Sequence, residues 1–166
     1  MVVTIQRQTY SVKPNNYNYL NESDKSIVDK LEDFEAPWLE EKLLSSGVFD
    51  SQEEYNQAFS EFKKYIALIG LVGGGLGMTS KKVDAVLHQF ILFTKEYHEF
   101  SDEVLGRYIH HSPETSLTKG SKSSVPKFID SYIALYGDIP NIWDIKSSTY
   151  DCEGCTYPEM DCKDGD

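Results

Sequence analysis

Cysteine is scarce in this chain and badly placed for stapling it. The three that occur, Cys152, Cys155 and Cys162, all fall in the last fifteen residues. An odd number cannot pair completely and none of them can tie the body of the chain together, so the fold must rest on packing, and a reducing compartment is expected. Basic charge is also short: 16 Lys and Arg stand against 27 Asp and Glu, a formal net charge of -11. Such a surface repels phosphate backbones and anionic lipid, which excludes sequence-independent nucleic-acid or membrane binding and favours a protein partner or a metal cation. No apolar run reaches the roughly 18 to 20 residues that cross a bilayer. The longest candidate, residues 65–78, is cut by Gly70, Gly73, Gly74, Gly75 and Gly77. The first ten residues carry Arg7 as their one basic residue and no apolar core of signal length, so a cytoplasmic location is the expectation.

What is present is enough for a core. The chain has 166 residues, 40% of them hydrophobic and 13% aromatic, which suits one ordinary domain. Val2 to Arg7 alternates weakly like a strand, and the Pro14- and Asn-containing stretch from Tyr10 to Tyr19 reads as an extended arm over the surface. Apolar residues then recur at helical spacing. Ser23 can cap a helix through Ile27, Val28, Leu31 and Phe34, and Pro37 opens a second helix that Gly47 follows. Asp50 or Ser51 caps a third, with Tyr55, Phe59, Phe62, Ile66 and Ile69 as one stripe and Glu53, Glu54, Lys63 and Lys64 largely off it. The glycines at 73–75 and 77 lack a following Lys-Ser/Thr and read as a helix end and turn, not a phosphate cradle.

Residues 78–113 carry the most information. Thr79 or Ser80 caps a helix running through Val83, Val86, Leu87, Phe90, Ile91, Phe93, Phe100, Val104 and Leu105 to Gly106, apolar on more than one face and so expected to be the spine of the bundle. Its polar residues Asp84, His88, Thr94, Tyr97 and His98 need partners if buried. Asp84 and His88 stand at i and i+4 on one face, and the turn after Gly106 can bring back His110 or His111. A carboxylate and imidazoles so placed can ligate zinc, iron or copper; the competing reading is a hydrogen-bonded Asp/His pair that fixes the turn. Asp-x-x-x-His is far less specific than HExxH, and no GxSxG elbow supports a hydrolase.

The words Val83-Asp84-x-x-Leu87-His88, Phe90-Ile91-Leu92-Phe93-Thr94, Tyr97, Phe100 and Gly106-x-x-Ile109-His110-His111-x-Pro113 resemble the helical region of glycine-rich domain-containing protein-like sequences. Leu87 stands where that family commonly has tryptophan, and Ser101 where it has cysteine. The resemblance implies a helical domain and supplies no catalytic residue.

Beyond Pro113 the polar stretch 114–124 reads as a loop, and Ser124 with Pro126 opens a last helix through Phe128, Ile129, Tyr132, Ile133 and Tyr136 to Gly137. Pro140, Ile142, Trp143 and Ile145 form an apolar strap that either packs back on the helices or, with Tyr136, anchors a protein partner. Residues 147–166 hold little apolar material, six acidic residues and the motif Cys152-x-x-Cys155 with Cys162. They read as a disordered tail that either stays reduced and solvated, binds a soft metal with a borrowed fourth ligand, or is itself modified by a partner enzyme.

The sequence therefore predicts an all-α bundle of about five helices. Its divisions are an extended arm (1–22), a helical domain (23–146) and an acidic cysteine tail (147–166). The function expected is a non-catalytic binding or interaction protein whose cysteine tail is a metal-binding or modified segment, with Cys152, Cys155 and Cys162 as the candidate metal ligands. The alternatives are a metalloprotein or metal-dependent enzyme using Asp84, His88, His110 and His111, and a substrate protein whose tail is modified.

Overall fold

In the computed structural model, which describes residues 10–112 and 124–145, every regular element is helical. The helices are α1 (Glu22–Asp33), α2 (Pro37–Ser45), α3 (Gln52–Val72), α4 (Lys81–Leu92), α5 (Thr94–Leu105) and α6 (Ser124–Tyr136), with short 3-10 turns at Tyr17–Tyr19 and Asn141–Trp143. The all-α reading holds. The strand-like alternation of Val2 to Arg7 and the cysteine tail lie outside the described residues. Among the described residues, no helix is long and apolar enough to cross a membrane.

Local chemistry sets the helix starts. Asn21, not Ser23, caps α1: its side chain accepts the Asp24 N–H, and Ser23 lies inside the first turn. Ser51 caps α3 through the Glu54 N–H, and the Glu54 carboxylate reaches back to the Asp50 N–H, so two otherwise orphaned donors are satisfied together. Ser80 caps α4 through the Val83 N–H. Gly106 ends α5 at φ 66°, a left-handed conformation that side chains with a Cβ resist.

The spine is α3, which packs against α1, α2, α4 and α6. It is buried on two sides, with Tyr55, Phe62, Ile66 and Ile69 on one stripe and Ala58, Tyr65 and Leu68 on another. The segment expected to be the spine is instead two helices broken at Phe93 (φ -85°, ψ 70°), which ends α4 and precedes α5. Packing explains the break. In a continuous helix Phe90 and Phe100 would be separated by about 15 Å along the axis; their ring centroids lie 5.1 Å apart. Folding α5 back also sets Tyr97 edge-on to Phe90 at 5.2 Å and packs Phe34 at a tilt against Phe100 at 4.5 Å, while Phe93 itself rests on Trp38 at 4.7 Å. Several aromatic contacts of roughly 0.5–1.5 kcal/mol each, beyond their area burial, outweigh a single broken helical turn.

The arm is less superficial than its composition suggests. Val12 is fully buried, its N–H donates to Glu32, its carbonyl accepts the Tyr136 hydroxyl, and Asn15 N–H donates to the Leu135 carbonyl. These bonds tie α1 to α6 through the arm.

The strap after α6 packs back on the bundle. Trp143 is 0% exposed, packed on Phe128 at 4.4 Å, with its indole N–H donating to Glu61 at 2.7 Å. Of the two readings of Trp143, packing is the one observed, because its single polar atom finds a buried carboxylate and its rings a hydrophobic wall. Tyr136 is half-buried and spends its hydroxyl on Val12. Neither residue presents a free aromatic anchor to a partner.

Gly77 marks a close approach between the α3–α4 link and α6. Its N–H donates to Ser124 O at 2.8 Å, and a Cβ there would stand 2.9 Å from the Val125 backbone. Gly77→Ala is expected to lower stability by about 1–3 kcal/mol, since backbone must move to admit the methyl group. A urea midpoint unchanged from wild type would contradict this close packing.

Candidate metal centre

Three residues that the sequence singled out come together on the outer face of α4. One helical turn separates Asp84 from His88, and the His88 Nδ1 lies 3.1 Å from Asp84 Oδ2. His111 arrives from the segment after α5. Its Nε2 is 3.0 Å from His88 Nε2 and 3.4 Å from Asp84 Oδ1. The three residues offer one ligand atom each within 4.8 Å of one another.

The placement of His111 follows from the Gly106 stop. The left-handed turn there redirects the chain, and exposed and covered side chains alternate from residue 108 to residue 112. Ile109 is buried and its carbonyl accepts the Tyr97 hydroxyl at 2.6 Å, which pins the segment to α5. Two residues on, His111 faces the same way, toward α4. His110 faces the other way and packs edge-on to Tyr108 at 4.9 Å, with His98 on the same ring at 5.9 Å. Of the two histidines the sequence offered for this turn, the structure brings His111 to the pair and leaves His110 exposed and apart from it.

His88 Nδ1 lies within hydrogen-bonding distance of Asp84 Oδ2, so the carboxylate orients the His88 ring. His111 has a pKa below the ordinary 6.5, chiefly because burial disfavours its charged form; His88 adds to this and Asp84 opposes it. It is therefore neutral at neutral pH, and no proton must be removed before it binds an ion. Without an ion, His111 Nε2–H can donate to His88 Nε2. A cation held here would require each imidazole to present an unprotonated nitrogen. Two ligand atoms at about 2.0–2.1 Å from a tetrahedral ion lie about 3.3 Å apart, close to the two spacings made by His111 Nε2, 3.0 Å to His88 Nε2 and 3.4 Å to Asp84 Oδ1. Side-chain exposures of 49% for His88, 31% for Asp84 and 18% for His111 leave one side of the cluster open to solvent.

The same pKa gives a stability consequence. Because the folded-state pKa of His111 lies below its unfolded value, the unfolded chain binds more protons as pH drops below about 6.5. The contribution is fully present above that pH and is lost as pH falls through the folded pKa. Metal-free wild type is expected to lose stability on acidification from roughly pH 7 to 5 more steeply than His111→Asn, measured as urea midpoints. Parallel profiles would contradict the assignment.

A family model described as UCP032817-like matches residues 24–126, well over half of the chain and all three residues of the cluster. The chain belongs to the UCP032817-like family. No curated protein and no solved structure matches it. In this UCP032817-like chain the matched span runs from the first turn of α1 to the first turn of α6, so the scaffold that orients Asp84, His88 and His111 is the family's own region.

A second polar cluster was not legible from the sequence. Glu61, 3% exposed on α3, accepts from Tyr132 OH at 2.8 Å and Trp143 Nε1 at 2.7 Å through one oxygen and pairs with Lys64 Nζ at 2.8 Å through the other. Burial and the adjacent Glu61 push the Tyr132 phenol far above its ordinary pKa, so it stays a donor. The signal available was that Glu61 falls within the second apolar stripe of α3, with Ala58, Tyr65 and Leu68. Every donor in this cluster is matched to an acceptor, and it reads as structural. Cys152, Cys155 and Cys162, the other ligand set read from the sequence, lie outside the described residues.

Proposed function

We propose that this protein is a metal-binding helical protein whose bundle holds one divalent transition-metal ion through Asp84, His88 and His111. The observation that carries the reading is the convergence of two imidazole nitrogens and a carboxylate oxygen from α4 and the segment beyond Gly106. Two histidines with one carboxylate form a donor set suited to zinc, iron or copper, and three protein ligands leave a position open for water or another ligand, where the ion would act as a Lewis acid. The interaction-protein reading has less support, since its two anchors, Trp143 and Tyr136, spend their polar atoms inside the fold. The words shared with glycine-rich domain-containing protein-like sequences cover the same stretch and support a helical domain there without assigning it an activity.

Titration of the full chain tests the proposal. Zinc is expected to bind saturably with one ion per chain, magnesium and calcium not at all, and Asp84→Asn is expected to weaken zinc binding at least about tenfold with unchanged helicity. Binding of all these ions alike, or an Asp84→Asn variant that titrates as wild type, would sink it.

A further inference from the structure

Two of the three residues in the cluster ride on α4, but His111 comes from a segment with no helix of its own, so its placement depends on how residues 107–112 are held. Among the described residues, the backbone of that segment makes one hydrogen bond to the helices, accepted by the Ile109 carbonyl from the Tyr97 hydroxyl. Ile109 precedes His111 by two residues. Tyr97 is fully buried, and its ring stands edge-on to Phe90 at 5.2 Å and to Tyr108 at 5.4 Å. Phe90 lies two residues beyond His88 on α4, and Tyr108 three before His111. One side chain thus touches both pieces of chain that bring imidazoles to the cluster. Burial raises the Tyr97 phenol far above its ordinary pKa, so the hydroxyl stays protonated and donates.

Resting on the metal-centre reading above, we propose that the Tyr97 hydroxyl is a positioning group for that centre, holding His111 where it meets Asp84 and His88. It acts through the Ile109 carbonyl and supplies no ligand atom itself. A ligand on a loosely held segment must give up conformational freedom when the ion binds, which weakens affinity; a segment fixed on folding has already given it up. Without the hydroxyl, the Ile109 carbonyl is left to water beside the exposed Tyr108 and His110, and His111 loses its backbone anchor to α5. Asp84 and His88 keep their spacing, because one turn of α4 sets it, so a weaker two-ligand site remains. Ser101 supplies the contrast. It is also fully buried on α5, and its Oγ donates to the Tyr97 carbonyl at 2.8 Å, a bond within one helical turn that reaches no part of 107–112.

Zinc chloride titrated into the full chain by calorimetry tests this. Tyr97→Phe keeps the ring and is expected to weaken zinc binding at least about tenfold, the usual loss for groups that orient ligands. Ser101→Ala is expected to bind as wild type. With zinc high enough to fill the remaining two-ligand site, Tyr97→Phe/His111→Ala is expected to match His111→Ala, because the hydroxyl then has no ligand left to position. A Tyr97→Phe chain that binds as wild type would overturn the positioning role and leave the metal centre standing. Equal weakening in Tyr97→Phe and Ser101→Ala, or further weakening where His111 is already alanine, would overturn it by showing a general loosening of α5. No zinc uptake by wild type would end both proposals. Circular dichroism and urea midpoints of each variant ensure that folded chains are compared.

Discussion

Alanine at His111 is expected to weaken zinc binding by more than about 100-fold, while alanine at its neighbour His110 leaves it unchanged. Second-shell losses at metal sites already cost about 10- to 100-fold, and a direct ligand should cost more. The contrast between adjacent residues of the same type is what makes the result diagnostic. Both histidines are near the surface of one short segment, both substitutions remove the same atoms, and only His111 lies within reach of His88 and Asp84. Metal bound to the folded state alone stabilises by about 2.7 kcal/mol when the free ion is at 100 times its dissociation constant. For a chain of this size that corresponds to a rise of roughly 5 to 10 °C in melting temperature. The rise should appear in wild type and His110→Ala and vanish in His111→Ala. Isothermal titration and differential scanning fluorimetry read the two quantities independently.

The second large effect belongs to Glu61. Removing its carboxylate by Glu61→Ala leaves the Tyr132 hydroxyl and the Trp143 indole N–H buried without acceptors, at about 1–3 kcal/mol each. Lys64, with 17% side-chain exposure, keeps some contact with water and adds less. The total expected loss is about 3–5 kcal/mol, a large share of the stability of a domain this size. Because α3, α6 and the strap meet at this one carboxylate, the strap should loosen first, seen as a red shift and quenching of Trp143 fluorescence before global unfolding. Glu61→Gln keeps a single oxygen acceptor and should cost less than alanine. A glutamine variant as unstable as alanine would show that charge, rather than acceptor geometry, holds the cluster.

The two clusters differ in how readable they were from sequence. Asp84 and His88 share a face by helical spacing alone, so local pattern was enough to pair them. Choosing between His110 and His111 required knowing that Ile109 is buried and His110 exposed, a register tied by the Tyr97 hydroxyl on the Ile109 carbonyl. The break at Phe93 was hidden for a similar reason: both sides of it are good helix, and the break is favoured by contacts with Trp38 and Phe34, which lie far away in sequence, and by the return of Phe100 onto Phe90. Helix type and most ends were legible, since caps and glycines act locally. The identity of the spine was not, because α3 buries two stripes and one of them contains a glutamate. A charged residue in a buried stripe reads as surface until its partners, Tyr132 and Trp143, are placed against it.

Native mass spectrometry of the full chain, loaded with zinc and then desalted, tests the central claim most directly. The expected result is a single ion on wild type and none on His88→Ala/His111→Ala. A wild-type chain that carries no ion, or a double variant that keeps the same occupancy, would contradict it.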